Sequence, residues 1–256
     1  FLTLISKSEN HGEALGETIF LGKLTLNIVL PAEMSEKDCH NYFKALDTLL
    51  NPTQSALLSI DINSVELSKT RLYPRYNPET SSIESAPLQL TANSMILINE
   101  TKLSDCQLQD MGVKNLNAIK QIVEEQSIVF EYPFSEIKCP TSVTTIILSK
   151  GSKSIIKSDL TIKVSDKIPL TSSLQEFRDF IPYLKNRPDA VITEEMSVKI
   201  SKKFTKDDLK IDDLKKLLNL SRLVGKSHNS KEIDDVIWTE TSKLYNDLTT
   251  ESLPAR

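Results

Sequence analysis

The sequence predicts an α/β protein: a sheet core with flanking helices over residues 1–169, followed by an all-helical subdomain over 170–256. Three observations predict it. Strand-like and helix-like patterns interleave up to about residue 168, the arrangement of an α/β sheet. The run Ser94-Met95-Ile96-Leu97-Ile98 has a wholly apolar centre, as a strand covered on both faces requires. Beyond Ile168-Pro169 the pattern is helical only.

Taken in order, Phe1-Leu2-Thr3-Leu4-Ile5 reads as a helix cut in its middle, so the chain reads as part of a longer protein. Gly22 to Leu30 alternates and then turns wholly apolar, a strand entering a sheet core, and Pro31 ends it. Ser35 to Leu50 is the clearest helix. Ser35 is placed to cap it, with Asp38 three residues on. Cys39, Tyr42, Phe43, Leu46, Leu49 and Leu50 share one face, and Asn51-Pro52 stops it. Leu58, Ile60 and Ile62 alternate with polar residues as a half-buried strand. Arg71 to Ala86, with its prolines, serines and asparagines, reads as an irregular surface excursion. After the Met95–Ile98 strand, Asn115 is placed to cap a helix carrying Leu116, Ile119, Ile122 and Val123. Ile128, Phe130, Tyr132 and Phe134 alternate as a strand, Val143 to Leu148 forms a β-branched run, and Leu160, Ile162 and Val164 alternate again. The helical part carries Leu174, Phe177, Phe180 and Ile181, then Glu194 to Phe204. It continues with Ile211 to Val224, ending at Gly225, and a last helix with Ile233, Val236, Ile237, Trp238 and Leu244.

Composition narrows the function classes. At 256 residues the chain allows one large domain or two smaller ones, and 39% apolar residues suffice for a core. A net charge of −4 argues against a dedicated nucleic-acid binder, which carries a strongly basic face. Cys39, Cys106 and Cys139 form no CxxC pair and fit a reducing compartment. His11, His40 and His228 lie far apart, so no zinc site is expected. No apolar stretch approaches the ~20 residues that span a bilayer. Asn99-Glu100-Thr101 matches a glycosylation sequon but ends a buried strand, where no glycan fits.

The residue pair that closes the central strand carries most information. Nucleotide-hydrolysing α/β proteins deliver Asp-Glu to the sheet edge in this way. Here the pair is Asn99-Glu100, and a neutral amide is a poorer ligand for a hard cation than a carboxylate. The two open readings are a vestigial metal-binding pair and a core strand with a polar end. Gly16 to Leu24 approaches a phosphate-cradling loop and fails it twice: five residues separate Gly16 from Gly22, and Leu24 stands where Ser or Thr would hold magnesium. Lys150, Lys153 and Lys157 could touch a phosphate backbone or form a solvated turn. No spacing suggests a nucleophile elbow or a catalytic triad. The order of strand 22–30, helix 35–50, acid-tipped strand and Thr144–Ser149 strand is that of an AAA+ core, with a P-loop expected upstream of Phe1.

Leu97-Ile98-Asn99-Glu100-Thr101-Lys102-Leu103, Gln107-Leu108 and Gly112-Val113-x-Asn115 resemble the MCM-binding protein family (minichromosome maintenance complex-binding protein). The resemblance extends to Leu21-Gly22-Lys23-Leu24-Thr25-Leu26-Asn27, Val129-Phe130-Glu131-Tyr132 and the Cys139-Pro140 region, covering about residues 1–165, and more loosely to the tail. The family usually has Asp-Glu-Thr where this chain has Asn99-Glu100-Thr101. The resemblance implies a nuclear protein that binds MCM helicase subunits and takes the place of one in an alternative assembly. It implies roles in MCM assembly or unloading, in replication and in sister-chromatid cohesion. It also implies a degenerate AAA+-like core and a helical lid without a working P-loop. Asp213 to Ser221 and Ser230 to Leu244 resemble that lid, and Asp212 falls near where an active lid offers arginine to phosphates. The resulting expectation is a non-catalytic, chaperone-like pseudo-ATPase in a hetero-oligomer with MCM subunits. It uses no cofactor and no metal, reads no DNA sequence, and keeps Asn99 and Glu100 as a vestigial Walker-B-like position. The alternative is an active AAA+ ATPase or helicase subunit; a DNA-binding replication factor is a third.

Overall fold

A computed structural model describes residues 2–6, 9–14, 17–21, 23–51, 56–103, 108–151, 154–164, 181–207 and 211–251; of these, 9–14, 17–21, 203–207, 211–212 and 249–251 are described by backbone alone. A four-residue helix, α1 (Leu2–Ile5), precedes an antiparallel hairpin of β1 (Glu9–Ala14) and β2 (Glu17–Leu21). The central sheet then begins with β3 (Leu26–Leu30), followed by α2 (Glu36–Leu50), β4 (Leu57–Asp61) and the short α3 (Ser64–Lys69). The small strands β5 (Arg75–Asn77) and β6 (Ser82–Glu84) lead to β7 (Ser94–Asn99) and α4 (Asp110–Glu125). Strands β8 (Ser127–Glu131), β9 (Glu136–Pro140), β10 (Val143–Lys150) and β11 (Leu160–Lys163) complete the two larger sheets.

Five of these strands pair in parallel in the order β11-β3-β10-β7-β4. Numbered by their own order in the chain, this is 5-1-4-3-2. The sequence explains the centre. Strand β7 is buried at all six positions, and Val143 to Ser149 of β10 are buried as well. Strands covered on both faces read as continuous apolar runs. Side chains still alternate. Met95 and Leu97 join one core with Leu30, Phe43, Ile146 and Leu148. Ile96 and Ile98 join a second core with Ile119, Ile122, Val123 and Ile147 beneath α4. Each buried aliphatic side chain contributes about 1.5–3 kcal/mol relative to exposure. Helix α2 starts as its sequence predicts: Ser35 Oγ accepts from the Asp38 N–H at 3.1 Å and donates to the Asp38 carboxylate at 2.8 Å.

A second sheet, β6-β5-β8-β9, stands beside α4. Residues 181–185 are helical. They are followed by β12 (Val191–Ile192), α5 (Glu194–Asp207), α6 (Ile211–Ser227), β13 (Glu232–Ile233) and α7 (Asp235–Glu251). Ile181, Leu184, Met196, Leu217, Leu220, Leu223, Trp238 and Tyr245 share one core with Leu4, Leu30 and Leu97, so the helical part lies against one face of the central sheet. Inside it, Lys226 Nζ, 2% exposed, pairs with Asp189 at 2.8 Å.

The molecule departs from the sequence reading in several places. Asn115 does not cap a helix: α4 begins five residues earlier, and Asn115 is buried within it. Its amide donates to the Leu67 and Thr70 carbonyls and accepts from Leu72 N–H, tying α4 to the end of α3. Arg71 to Ala86 is not irregular throughout but holds the β5–β6 hairpin, and β9 had no pattern to announce it. Phe134 lies beyond β8 in the turn to β9 and is fully exposed. The region after residue 181 is not purely helical, because β12 and β13 pair in parallel. Helix α6 runs on through Gly225 to Ser227. A Cβ on Gly225 would sit 2.7 Å from that of Ala190, so the glycine serves close packing rather than a stop. Leu217 is buried, whereas Leu218 is only partly so. Gly16, Gly22, Cys106, Lys153, Leu174, Phe177, Phe180 and the expected boundary at 169/170 lie outside the described residues, as does the side chain of Asp212.

Candidate functional site at the carboxyl edge of the sheet

In an open parallel sheet, ligands bind outside the carboxyl ends of the strands, at the point where successive connections leave in opposite directions. Here that point lies between β3 and β10. The chain leaves β3 through α2 toward β4 at one edge, and leaves β10 toward β11 at the other.

Among the described residues, the ends of β3 and β10 pack directly against each other at this crevice. Gly151 N–H donates to the Leu30 carbonyl at 2.9 Å. Gly151 has φ of +67°, and a Cβ there would lie 3.0 Å from that of Ala32, so Ala32 packs closely on the Gly151 backbone. Below it, Ser149 Oγ donates to the Asn27 amide oxygen at 2.9 Å, joining β10 to β3. The turn from β3 into α2 is Pro31–Ser35, folded by a bond from Met34 N–H to the Pro31 carbonyl. It contains no glycine. A helix N-terminus attracts anions, but this one carries Glu33, Glu36 and Asp38 against Lys37 alone, and Ser35 caps it. Its own charges therefore disfavour a phosphate, while the Lys150 ammonium at the end of β10 lies near enough to act on Cys39 in the first turn of α2.

The Asn99-Glu100 pair sits one strand further along. Asn99 is 2% exposed and faces Asp61, its register partner on β4. Its Nδ2 donates to the Asp61 carboxylate at 2.6 Å, while its Oδ1 accepts from the Thr101 N–H at 3.1 Å and hydroxyl at 2.7 Å. A carboxylate at position 99 would have no proton to offer Asp61. Glu100, 5% exposed, accepts from Ser154 Oγ at 2.8 Å and from Ile155 N–H at 3.2 Å. Burial pushes its pKa up, and those hydrogen bonds oppose the shift. Both side chains are thus engaged in holding strand ends and the 154–156 segment. Lys157 is exposed, and its backbone N–H reaches Glu124 rather than the strand ends.

A cleft of about 210 Å³ lies elsewhere, between α4 and β8, lined by Tyr73, Lys114, Gln121, Val129, Glu131 and Glu136. It is below the roughly 300–1,000 Å³ of small-molecule sites. Among the described residues, no helix is long and apolar enough to cross a membrane.

Residues 1–250 match the family described as mini-chromosome maintenance replisome factor. The chain belongs to that family. It is similar to a UPF0616 protein of Schizosaccharomyces pombe, 27% identical over 78% of this chain and 42% of that protein. It is also similar to the mini-chromosome maintenance complex-binding proteins of Danio rerio, 23% identical over 88% of this chain and 38% of that protein, and of Arabidopsis thaliana, 24% identical over 95% and 42%. The chain spans about two fifths of the length of the curated relatives it matches. The family membership first expected from the residues around Asn99-Glu100-Thr101 and Gly112-Val113 is therefore shown.

Two features of the edge escaped sequence reasoning. The tie between Asn99 and Asp61 joins residues far apart in the chain, and the Gly151–Ala32 contact depends on strand order. An Asp at the end of one apolar strand and an Asn at the end of the next was the only signal available.

Proposed function

We propose that this region is a non-catalytic binding domain for MCM helicase subunits, built on an AAA+-like scaffold. The closely packed switch point carries the reading. The strand order 5-1-4-3-2, with a strand-to-helix turn beside an Asn-Glu strand end, supports kinship with an AAA+ core. In that reading the phosphate-loop position is Pro31–Ser35, inside the chain rather than upstream of Phe1. That turn is acidic and glycine-free, and Glu100 is bound to its own neighbours. Phosphoryl transfer depends on cationic groups and a metal placed around the phosphates. Neither the turn nor the Asn99-Glu100 pair offers such a cation.

Partner identity is supported by the names of the relatives, which are MCM complex-binding proteins. The helices from residue 181 onward act as the lid of the scaffold, and the division near residue 170 remains the proposed boundary. A nuclear factor of this form would occupy the shape of a ring subunit without supplying a nucleotide site, and so would regulate MCM assembly or unloading. The test is capture of individually purified MCM subunits by residues 1–256. Capture of at least one supports the reading; capture of none by the purified, folded chain refutes it.

A further inference from the structure

The cleft between α4 and β8 collects hydrogen-bond acceptors that nothing in the chain uses. Its helix wall is one face of α4, where Lys114, Asn117, Ala118 and Gln121 recur at helical spacing. Its sheet wall is Val129 and Glu131 of β8 with Glu136 of β9, and Tyr73, just before β5, lines it as well. The charged groups of the lining are two acids against one base.

Glu131 and Glu136 are register partners, so their side chains leave the sheet on the same face. Like charges directly opposite each other on paired strands destabilise the pair. Glu131 is neutralised: Lys114 Nζ lies 2.6 Å from its carboxylate and Arg75 Nε 3.6 Å. Lys138, opposite Val129 on the same face, turns to Glu125 at 2.9 Å, and Arg71 pairs with Glu84. Each of these cations is thus matched to an acid other than Glu136. Glu136 is exposed and forms no ion pair among the described residues.

Tyr73 is an independent sign of a ligand. It is 8% exposed, and its phenol makes no hydrogen bond among the described residues. A buried hydroxyl ordinarily has a partner. Gln121 gives its Nε2 to Glu125 at 3.3 Å, which leaves its amide oxygen open toward the cleft it lines. The cationic donors are therefore committed, while a carboxylate, a phenol and amide oxygens stay open. A volume of about 210 Å³ is below the roughly 300–1,000 Å³ of small-molecule sites and suits one long side chain. Ala118 and Val129 offer apolar contact to a methylene stem. Arginine brings five donors on a planar head and no acceptor, whereas lysine brings three on a compact charge. Acceptors spread over two walls match the fork better than the point.

We propose that this cleft receives one arginine side chain of a partner protein, with Glu136 pairing its guanidinium and Tyr73, Asn117 and Gln121 accepting from its remaining N–H groups. The partner is an MCM subunit, a clause that rests on the MCM-binding reading; the arginine chemistry rests on the cleft alone. Arginine is among the residues that dominate interface affinity.

The test titrates the full 256-residue chain with Nα-acetyl-arginine amide while backbone amide resonances are followed. Saturable shifts are expected at Asn117, Ala118, Gln121, Val129 and Glu131, with a dissociation constant of millimolar order. The neutral isostere Nα-acetyl-citrulline amide should bind at least tenfold more weakly. Glu136→Lys should abolish the shifts, Glu136→Gln should weaken binding several-fold, and Tyr73→Phe should weaken it about threefold, with melting temperatures kept within a few degrees. Glu195→Lys, the same charge change at an exposed site on α5, should change nothing. No saturable shift, shifts confined to other residues, or equal binding of arginine and citrulline amides would overturn the proposal. The partner is tested by the affinity of each purified MCM subunit, which Glu136→Lys should weaken at least tenfold. If a subunit binds wild type and Glu136→Lys within twofold, the cleft is not a partner contact, while the MCM-binding reading stands. If wild type binds the arginine amide but no subunit, the MCM-binding reading falls with the partner named here, and the arginine site stands.

Discussion

Replacing Asn99 by Asp should destabilise this chain. The Asn99 amide gives one hydrogen bond to the Asp61 carboxylate at 2.6 Å, in a side chain 2% exposed. A hydrogen bond to a charged group contributes about 1.5–3 kcal/mol. The variant loses it and sets two carboxylates against each other, a repulsion of about 4 kcal/mol at 4 Å with an effective dielectric of 20. Relaxation of the exposed side of Asp61 and shared protonation reduce the total, so a loss of about 2–4 kcal/mol is expected at pH 7. The pH dependence comes from linkage. A like charge raises the folded-state pKa of the new carboxyl above its unfolded value. The folded variant then binds more protons than the unfolded chain over that interval, so its stability falls as pH rises through it. The deficit relative to wild type should be full at pH 7 and shrink toward pH 4.5. Urea denaturation of both proteins at the two pH values measures it. Equal stability at pH 7, or a deficit that grows on acidification, would refute the reasoning. No ATP hydrolysis should appear, because the Pro31–Ser35 turn stays acidic and glycine-free.

Three further outcomes are expected. Leu217→Ala should cost about 2–5 kcal/mol in chemical denaturation and Leu218→Ala clearly less, since only the first is buried; equal losses would contradict the packing of α6. Asn115→Ala leaves the Leu72 N–H and the Leu67 and Thr70 carbonyls without their partner, so a loss of about 3 kcal/mol is expected, and a melting temperature unchanged by the substitution would show the tie to be idle. Burial raises the pKa of Glu100 in the folded state, so wild-type stability should fall as pH rises from the unfolded glutamate value through the raised one; Glu100→Gln should remove that slope, and an unchanged pH profile would locate it in another group.

The core of the fold was legible because its signals are local. The unbroken apolar run of β7 and the β-branched run of β10 announce strands buried on both faces. The capped, one-sided pattern from Ser35 to Leu50 announces α2. The small sheet was harder to see. Strand β6 is exposed at all three positions and β9 at four of its five, so neither alternates toward a core, and Phe134 mimicked one more apolar position of β8. Strands of two residues, such as β12 and β13, are too short to show a period. Asn115 carries the residue type of a cap, but its partners lie more than forty positions away. At the candidate site, Asn99 and Glu100 were visible as a polar strand end. Their engagement by Asp61, Thr101, Ser154 and Ile155 depends on which strands and loops meet.

The central claim is a partner-binding surface on a scaffold whose nucleotide position is closely packed and acidic. The most direct measurement is the affinity of residues 1–256 for a purified MCM subunit whose own nucleotide site has been inactivated, taken with and without magnesium-ATP, alongside calorimetric titration of magnesium-ATP into the chain alone. The account predicts one affinity in both conditions and no heat of nucleotide binding. Saturable binding of magnesium-ATP to the chain, with partner affinity that changes on its addition, would contradict it.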